Sequence, residues 1–497
     1  MTQKTAAIIG AGVAGIAAAI RLAHKGYRVQ VFEANAYPGG KLSEFELDGY
    51  RFDAGPSLFT LPEQVEELFR LVGKNPADHF GYIRLPVVCE YFYEDGTRLT
   101  AHADPAAFAD ELAAKTGEKR EAVLDFLRDS RTKYDLTANL FLHRSLHQLA
   151  TWINPDSFRG YWNIRKLDVF RSMHEANQSR FRDPRVVQLF NRYATYNGSD
   201  PYQAPATLNI IPHLEYNIGA FFPKQGMYGI TQSLVGLAES LGVTFHYGQP
   251  VREIVAQNGR STGIRLDAER AGTAGLPEVV AADLVVSNMD VVNTYRRLLP
   301  HQRQPDFLLN QPKSSSALIF YWGVRQQFPQ LDLHNIFFSA DYRREFDCLF
   351  GGKTLTNDPT VYLNITSKYK PDDAPAGCEN WFVMVNAPNN SGQDWDALIG
   401  RARGDIIAKL SRLLRTDIAP LIACEAILDP RTIESRTSSA QGALYGNASN
   451  NRYAAFLRHS NKSNRLKGLY FVGGSVHPGG GIPLSLLSAK IAVGMVE

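Results

Sequence analysis

The chain has 497 residues, of which 44% are apolar and 21% are charged, and its 53 basic and 50 acidic side chains leave a formal charge of +3. This composition excludes disordered, collagen-like and coiled-coil classes, and the small charge argues against a nucleic-acid partner. The length predicts roughly three domain-sized units.

Cysteine spacing and hydropathy narrow the class further. The four cysteines lie far apart without a C-x-x-C pair, so we predict no metal, no disulfide framework and a reducing compartment. The longest apolar run, residues 317–322, is too short to cross a membrane and is typical of a buried strand. The first residues lack a charged segment and a cleavage pattern, so we expect a cytoplasmic protein.

The first forty residues predict a dinucleotide site. A strand over residues 4–9 runs into the glycines Gly10, Gly12 and Gly15, a helix follows to residue 24, and a second strand ends at Glu33. A G-x-G-x-x-G loop between strand and helix lets the backbone approach a pyrophosphate at the helix N-terminus. The acid after the second strand is placed to bind ribose hydroxyls.

A second glycine loop follows and distinguishes the site from that of an NAD enzyme, which has no need of one. Residues 38–43 contain Gly39, Gly40 and Lys41, and residues 52–57 read Phe-Asp-Ala-Gly-Pro-Ser. Lys41 has two interpretations at this point: a cofactor contact in the loop, or a solvated surface lysine.

The end of the chain carries a third glycine-rich segment. Residues 469–472 are typical of a buried strand, and the sequence Gly-Gly-Ser-Val-His-Pro-Gly-Gly-Gly-Ile-Pro follows it. A helix is predicted from Ile482, with Pro483 in its first turn. Its N-terminus favours an electron-rich ligand group.

These glycine-rich segments resemble the bacterial and fungal-type phytoene desaturase (carotenoid desaturase) family of FAD-dependent oxidoreductases, and the resemblance extends over nearly the whole chain. Residues 53–62 are most similar to the hydroxycarotenoid 3,4-desaturase branch. The resemblance implies that FAD is bound by Gly10, Gly12, Val13, Ala14, Gly15, Glu33, Gly39, Gly40, Lys41, Leu42, Gly55, Pro56, Ser57, Val251, Gly473, Gly474, Ser475, Gly481 and Ile482.

Two of these positions have particular expectations. The resemblance implies that Val251 contacts adenine through its backbone. Ser475 stands where the wider amine-oxidase group carries an aspartate, so Ser475 or the backbone is expected to hold the ribityl chain.

The expected fold is α/β. A discontinuous, Rossmann-like FAD-binding domain with a parallel sheet is predicted from residues 1–85, 220–295 and 425–497. A mixed-sheet substrate domain is predicted from residues 86–104 and 296–424, and a helical, membrane-facing part from residues 105–219. Around residues 152–171 aromatic side chains alternate with cations, which fits either a membrane surface or a half-buried helix.

The resemblance implies a reaction in which a long polyene loses a hydride to flavin N5 and gains a C=C bond. We expect a lipophilic carotenoid substrate, acyclic or hydroxylated or monocyclic, with C3–C4 as the candidate bond. We also expect a peripheral position on the membrane surface, and oxygen or a quinone as electron acceptor. Such a reaction depends on positioning in an apolar tunnel, so the catalytic residues stay unknown. The titratable candidates are His213, Glu215 and His477, for which structural roles are the alternative.

Three other functions stay open. A flavoprotein oxidase of amines or amino acids needs an aromatic cage or a carboxylate-binding arginine. A non-redox carotenoid isomerase that uses reduced FAD shares the fold. A scaffold that only binds a dinucleotide predicts no flavin reduction by substrate. No motif indicates the oligomeric state.

Overall fold

The computed structural model describes residues 3–153, 167–451, 453–454 and 457–497. Its strands are β1 Thr5–Ile9, β2 Arg28–Phe32, β3 Glu44–Leu47, β4 Tyr50–Asp53, β5 Tyr82–Arg84, β6 Val87–Phe92, β7 Arg98–His102, β8 Phe221–Pro223, β9 Thr244–His246, β10 Val251–Gln257, β11 Arg260–Leu266, β12 Val279–Ala281, β13 Leu284–Ser287, β14 Ser316–Val324, β15 His334–Phe337, β16 Val361–Asn364, β17 Glu379–Ala387, β18 Ile422–Leu428 and β19 Leu469–Phe471.

The α-helices span Val13–His24, Glu63–Leu71, Pro105–Thr116, Arg120–Phe141, Leu149–Trp152, Met173–Arg180, Pro184–Asn191, Tyr228–Ser240, Ala268–Thr273, Val291–Asn293, Asp306–Leu309, Tyr342–Phe346, Trp395–Leu414, Pro430–Thr437 and Ile482–Gly494. Short 3₁₀ turns lie at Pro76–Asp78, Arg192–Asn197, Ala206–Ile210, Thr366–Lys368, Pro371–Asp373, Ala419–Leu421 and Ala440–Gly442, and π turns at His213–Ile218, Thr294–Leu298 and Asp347–Gly352.

A parallel sheet in the order β19-β13-β1-β2-β9 forms the first layer of the fold. Its central strands are apolar on both faces, as expected for a sheet covered on both sides. Helices Val13–His24, Tyr228–Ser240 and Ile482–Gly494 cover one face, and the β10-β11-β12 sheet contributes to the apolar core on the other. The carboxyl ends of the strands therefore meet at one edge.

A seven-stranded mixed sheet, here called the roof sheet, has the order β18-β14-β17-β16-β15-β6-β7. The predicted aromatic hairpin supplies β6 and β7, and the apolar run supplies β14. Because side chains alternate along a strand, Phe320 and Trp322 enter the largest apolar core, while Ile319 and Tyr321 face the opposite side. The edge strand β18 runs across the predicted domain boundary at residue 425.

The described residues between 105 and 219 are mainly helical. Asp104 caps the helix Pro105–Thr116 by accepting from Ala107 N at 2.8 Å, and Gly117 ends it in the left-handed conformation. The predicted aromatic and cationic segment falls largely on residues 154–166, which lie outside the described residues. None of the helices in the described ranges has the length and hydropathy needed to cross a membrane. The α/β fold with a parallel and a mixed sheet agrees with the prediction.

Candidate cofactor and substrate site

The glycine loops of the N-terminal third pack against each other at the carboxyl edge of the parallel sheet. Gly39 N donates to Ala11 O at 2.7 Å, and Gly12 pairs with Gly39 as an isolated bridge. Gly39 has φ +104°, and a Cβ there would overlap the Leu42 carbonyl oxygen. A Cβ at Gly15 would overlap the Gly10 carbonyl. The two loops can adopt this arrangement only with glycine at these positions.

Glu33 lies at the carboxyl end of β2, beside the first loop. One carboxylate oxygen accepts from Ala11 N at 2.7 Å, and the other accepts from Asn35 N and Nδ2 at 2.9 and 2.8 Å. A carboxylate has about four acceptor positions, so the buried Glu33 keeps capacity for a ribose hydroxyl. Gln249 N donates to Glu33 O at 2.8 Å, which places Val251 two residues further along, at the start of β10.

Asn288 is a central residue of this edge that the sequence prediction missed. It follows β13, and its side chain lies between the first and last glycine loops. A Cβ at Gly12 would come within 2.6 Å of Asn288 Oδ1, and one at Gly473 within 2.6 Å of Asn288 Nδ2. The Nδ2 atom donates to Val472 O at 3.2 Å. Its position at a carboxyl strand end, like that of Gly10, is the signal that could have identified it.

Lys41 is held in the wall of the site. Its Nζ donates to Ala443 O and Leu444 O at 3.2 and 2.9 Å. Burial lowers the pKa of Lys41 to about 8, and the nearby Asp290 carboxylate only partly offsets this. The interpretation as a solvated surface lysine is therefore wrong.

The segment around Gly55 closes against the Lys41 backbone. A Cβ at Gly55 would overlap the Lys41 carbonyl oxygen. The preceding Asp53 accepts from Met227 N and Tyr228 N at 2.9 and 3.2 Å. Asp53 thus fastens the loop that carries Gly55, Pro56 and Ser57 to the N-terminus of the helix Tyr228–Ser240.

The C-terminal glycine segment completes the edge. Gly473 N donates to Ser488 Oγ at 2.7 Å, and Ser475 Oγ accepts from Val291 N at 2.9 Å. Gly481 has φ +104° and would place a Cβ in open space. The helix Ile482–Gly494 starts there, so its N-terminal N–H groups adjoin a cavity.

That cavity has a volume of about 1240 Å³, larger than the roughly 300–1,000 Å³ typical of a site for one small ligand. Residues of the glycine loops lie along one side of the cavity. The face of the roof sheet that carries Ile319 and Tyr321, opposite the largest apolar core, lies along the other side. Its wall near the helical part is apolar and is formed by Phe141, Leu146, Trp152, Leu167 and Phe170. The cavity therefore accommodates a flat cofactor together with an elongated apolar molecule.

We call the three glycine loops at the carboxyl ends of the strands the glycine edge; its residues Gly39, Gly40, Gly474 and Gly481 line the cavity, whereas Gly10, Gly12, Glu33 and Gly473 are not lining residues. The glycine edge, Glu33 and the helix terminus together fit a dinucleotide.

A buried charged cluster lies in the cavity wall around Glu215. Glu215 accepts from Arg192 Nη2 at 3.1 Å, from Tyr193 OH at 2.5 Å and from Tyr196 OH. Arg192 also donates to Tyr91 OH at 2.9 Å. Burial alone lowers the pKa of Arg192, but the phenolic oxygens and Glu215 outweigh it and hold the pKa well above its ordinary value. We call Tyr91, Arg192, Tyr193, Tyr196 and Glu215 the arginine cluster.

The other two titratable candidates are tied to structural partners. His213 is not among the cavity-lining residues; its Nδ1 lies 2.9 Å from Asn217 Nδ2 and its ring packs on Tyr134. His213 and Glu215 therefore do not form a joint site. His477 lines the cavity, but its Nε2 lies 2.8 Å from the Arg144 carbonyl oxygen, and burial lowers its pKa to about 4.

Comparisons with known proteins agree with this geometry. The model of the family described as flavin containing amine oxidoreductase matches residues 13–496. The chain is 49% identical to the 1-hydroxycarotenoid 3,4-desaturase of Flavobacterium sp. (strain P99-3), over 99% of each chain. It is 35% identical to the 4,4'-diapolycopene oxygenase of Methylomonas sp., over 97% of this chain and 96% of that one.

Among solved structures, a putrescine oxidase with bound putrescine superposes with a TM-score of 0.62 at 17% identity, over 99% of each chain. At this identity the likeness shows the fold alone. No group of three or more His, Cys, Asp or Glu side chains suited to a metal ion occurs in the part of the chain that the structure describes.

Proposed function

The chain belongs to the flavin containing amine oxidoreductase family, its cofactor is FAD, and we propose that it is a carotenoid desaturase acting at C3–C4 of a 1-hydroxylated substrate. The observation that carries the proposal is the single cavity that joins the glycine edge to a long apolar wall. The 49% identity to a 1-hydroxycarotenoid 3,4-desaturase supports it.

The glycine edge would hold the cofactor. Gly10 and Gly12 would face the pyrophosphate, Glu33 the adenosine ribose, and Gly481 with Ile482 the electron-rich side of the ring system. When bound, FAD would supply the oxidant for a reaction in which the polyene loses a hydride to the flavin and a proton to the solvent outside the apolar wall, and gains one C=C bond.

The protein's own contribution is positioning and exclusion of water. The apolar wall would align a rod-like polyene. Among the described residues, none of the three titratable candidates offers an unpaired basic group to the cavity. His477 donates to a carbonyl and its low pKa keeps it neutral at pH 7. The arginine cluster already uses both oxygens of Glu215. We infer that binding geometry, and not a side-chain base, provides most of the rate enhancement.

We further propose that the mouth of the cavity lies on a membrane surface, from which a lipophilic substrate enters. Phe170 and Tyr453 line the cavity and are 79% and 57% exposed. Ile153, which follows the cavity-lining Trp152, is 74% exposed. Substitution Phe170→Asp should reduce sedimentation with phosphatidylcholine vesicles severalfold. Phe307→Asp is the matched control, because Phe307 is 71% exposed but does not line the cavity. If both variants sediment with the vesicles to the same extent as wild type, the proposal is contradicted.

The function is tested by the mass of the product. Flavin-loaded protein in phosphatidylcholine vesicles is incubated with a 1-hydroxylated carotenoid under air or with a quinone, the two proposed electron acceptors. We expect a product lighter by two hydrogens with a new bond at C3–C4. A product with added oxygen would indicate an oxygenase like the Methylomonas relative, and an unchanged mass an isomerase. Oxidation of an amine with no change in any carotenoid would indicate an amine oxidase.

A further inference from the structure

One buried arginine in the cavity wall has no acidic partner. Of the three arginines that are buried in the described part of the chain, Arg21 pairs with Glu67 and Arg192 pairs with Glu215. The third, Arg458, is 4% exposed and lines the cavity, but it forms no ion pair with any described residue. A buried charge without a partner is strongly disfavoured. We therefore expect a ligand in the cavity to supply the opposite charge.

The contacts that the Arg458 guanidinium does make are weak. Its Nη1 atom donates to Tyr445 O at 3.2 Å and to Gly474 O at 3.4 Å, and its Nη2 atom donates to Asn447 O at 3.4 Å. Strong hydrogen bonds of a charged donor are about 2.7–2.9 Å long. Burial lowers the pKa of Arg458 only to about 10, so the guanidinium is charged at pH 7. Three long contacts to neutral carbonyl groups leave most of this charge uncompensated.

The guanidinium also keeps two unpaired N–H groups. It has five N–H donors, and the Nε–H and one N–H of Nη2 have no acceptor among the described residues. Some fully enclosed side-chain atoms of the described residues also lack a partner, among them His334 Nε2, but Arg458 Nε is not one of them. The unpaired Nε–H is therefore accessible, and the cavity that Arg458 lines is the space from which a ligand can reach it.

The guanidinium lies inside the turn that precedes the last helix. A Cβ at Gly479 would come within 3.2 Å of Arg458 Cζ, so the backbone of Gly479 packs directly on the guanidinium. The turn ends at Gly481, where the helix Ile482–Gly494 begins, and Gly480, Gly481 and Arg458 all line the cavity. The positive end of that helix and the charge of Arg458 therefore border the same part of the cavity.

The cavity determines which group of a ligand can meet this charge. Gly12 and Glu33, which would bind the pyrophosphate and the adenosine ribose, do not line it, whereas Gly481 and Ile482 do. We therefore expect the ring system of FAD to be the part that enters this cavity. The proposed polyene is uncharged and supplies no anion. Hydride transfer creates one: a C–H bond of the substrate breaks, an N5–H bond forms, and the neutral ring gains one negative charge on its N1–C2=O side.

We propose that Arg458 is the counter-charge of the reduced flavin: its unpaired N–H groups face the N1–C2=O side of the ring system and stabilise the negative charge that the ring gains on reduction. The inference rests on the proposed function for the hydride transfer, but it does not depend on which polyene is oxidised. A fixed charge in a site with little water interacts more strongly than it would in water, and it acts where charge develops in the reaction. Arg458 would therefore make the flavin a stronger oxidant.

The test measures the midpoint potential of the flavin-loaded protein in the absence of carotenoid. Arg458→Met removes the charge, Arg458→Gln keeps an N–H donor for the carbonyl groups without the charge, and Arg458→Lys keeps the charge. Arg465→Met is the control, because Arg465 belongs to the same segment of the chain but is exposed and does not line the cavity. Where a variant does not retain FAD, anaerobic titration of the flavin-free protein with oxidised and with reduced FAD gives the same ratio of affinities.

We expect Arg458→Met and Arg458→Gln to lower the preference for reduced over oxidised flavin about 10- to 100-fold, the effect of one hydrogen bond to a charged group. For a two-electron couple this is a fall in potential of about 30–60 mV. Arg458→Lys should show a smaller fall, and Arg465→Met none. A residue that only shapes the turn would weaken binding of both forms equally, so an unchanged ratio in the neutral variants overturns the inference. A fall in Arg458→Lys as large as that in Arg458→Met overturns it too. If Arg458→Met does not fold, Arg458→Gln decides by the same criterion.

A carboxylate substrate would be another source of the same negative charge, and benzoate is its probe. If benzoate shifts the flavin spectrum of wild type, and Arg458→Met abolishes that shift but keeps the potential, Arg458 binds a carboxylate and the inference fails. The potential is measured without a polyene, so the two proposals fail separately. A lowered potential in a protein that desaturates no carotenoid supports the role of Arg458 while the proposed function fails. Desaturation by wild type with an unchanged potential in the neutral variants leaves the proposed function intact and removes the inference.

Discussion

The glycine edge and the roof sheet border the same cavity, but the first does so mainly with backbone atoms and the second with side chains. The edge presents backbone: Gly12, Gly39 and Gly473 lie where a Cβ would press on a neighbouring loop or side chain. The roof presents side chains: those of His334 and Tyr362, on the paired strands β15 and β16, are among the residues that line the cavity. We expect the edge to hold the cofactor largely through backbone N–H groups, which only glycine at these positions allows to approach it. We expect the contacts that distinguish one polyene from another to come from side chains of the roof sheet.

The largest effect should follow from adding one methyl group to the edge. Gly39→Ala places a Cβ against the Leu42 carbonyl at φ +104°, and the combined clash and strain should cost about 5 kcal/mol or more. The purified variant should contain almost no flavin. Gly404→Ala is the control, because Gly404 lies inside the helix Trp395–Leu414 with open space around it. Normal flavin content in Gly39→Ala would show that backbone shape does not decide cofactor binding.

On the roof side, the arginine cluster should give the next largest effect. Arg192→Met leaves the buried Glu215 carboxylate with two tyrosine donors but without its positive partner, which should lower the free energy of unfolding by about 3–5 kcal/mol. The double variant Arg192→Met, Glu215→Gln removes both charges and should recover part of this loss. Urea unfolding of wild type, Arg192→Met, Glu215→Gln and the double variant measures it. Additive losses in the double variant would mean that the two side chains are not coupled.

These two regions also differ in how far the sequence predicted them. Gly10 and Glu33 belong to one short strand–loop–helix–strand unit, so their spacing alone indicates the site. Asn288 was missed because its role depends on β13 lying beside β1, a pairing of distant segments. His334 and Tyr362 were missed for the same reason, since β15 and β16 meet only in the folded sheet.

Neighbours in sequence were also misleading. His213 and Glu215 are two residues apart, yet the π turn His213–Ile218 directs only Glu215 to the cavity. The parallel and mixed sheets themselves were predicted correctly, because apolar and aromatic runs identify buried strands wherever they pair.

A smaller effect tests whether charge contributes at the edge. Glu33→Gln puts an amide where two oxygens now accept three N–H groups, so it should weaken FAD binding about 10- to 100-fold, as expected for a charged hydrogen bond. Fluorescence titration of the flavin-free protein with FAD measures this affinity. Glu46→Gln, on the exposed part of β3, should bind as wild type does. Unchanged affinity in Glu33→Gln removes Glu33 from the site.

The smallest effect concerns pH. His334 has a pKa of about 3 in the folded protein, against about 6.5 in the unfolded chain. Between these values only the unfolded chain binds the proton, so stability rises with pH and is lost as pH falls below 6.5. The slope of unfolding free energy should be shallower in His334→Gln than in wild type, by about 0.7 kcal/mol per pH unit at pH 6.5 and by about 1.4 kcal/mol per pH unit near pH 5. Parallel slopes would mean that His334 is not buried in its neutral form.

The most direct test of the account is an anaerobic single turnover. Flavin-loaded protein in vesicles is mixed with a slight deficit of a 1-hydroxylated carotenoid, and flavin absorbance and product mass are followed together. The account predicts that one flavin is reduced for each polyene that loses two hydrogens. Conversion of the polyene while the flavin stays oxidised, or flavin that stays oxidised with an unchanged polyene, would contradict it.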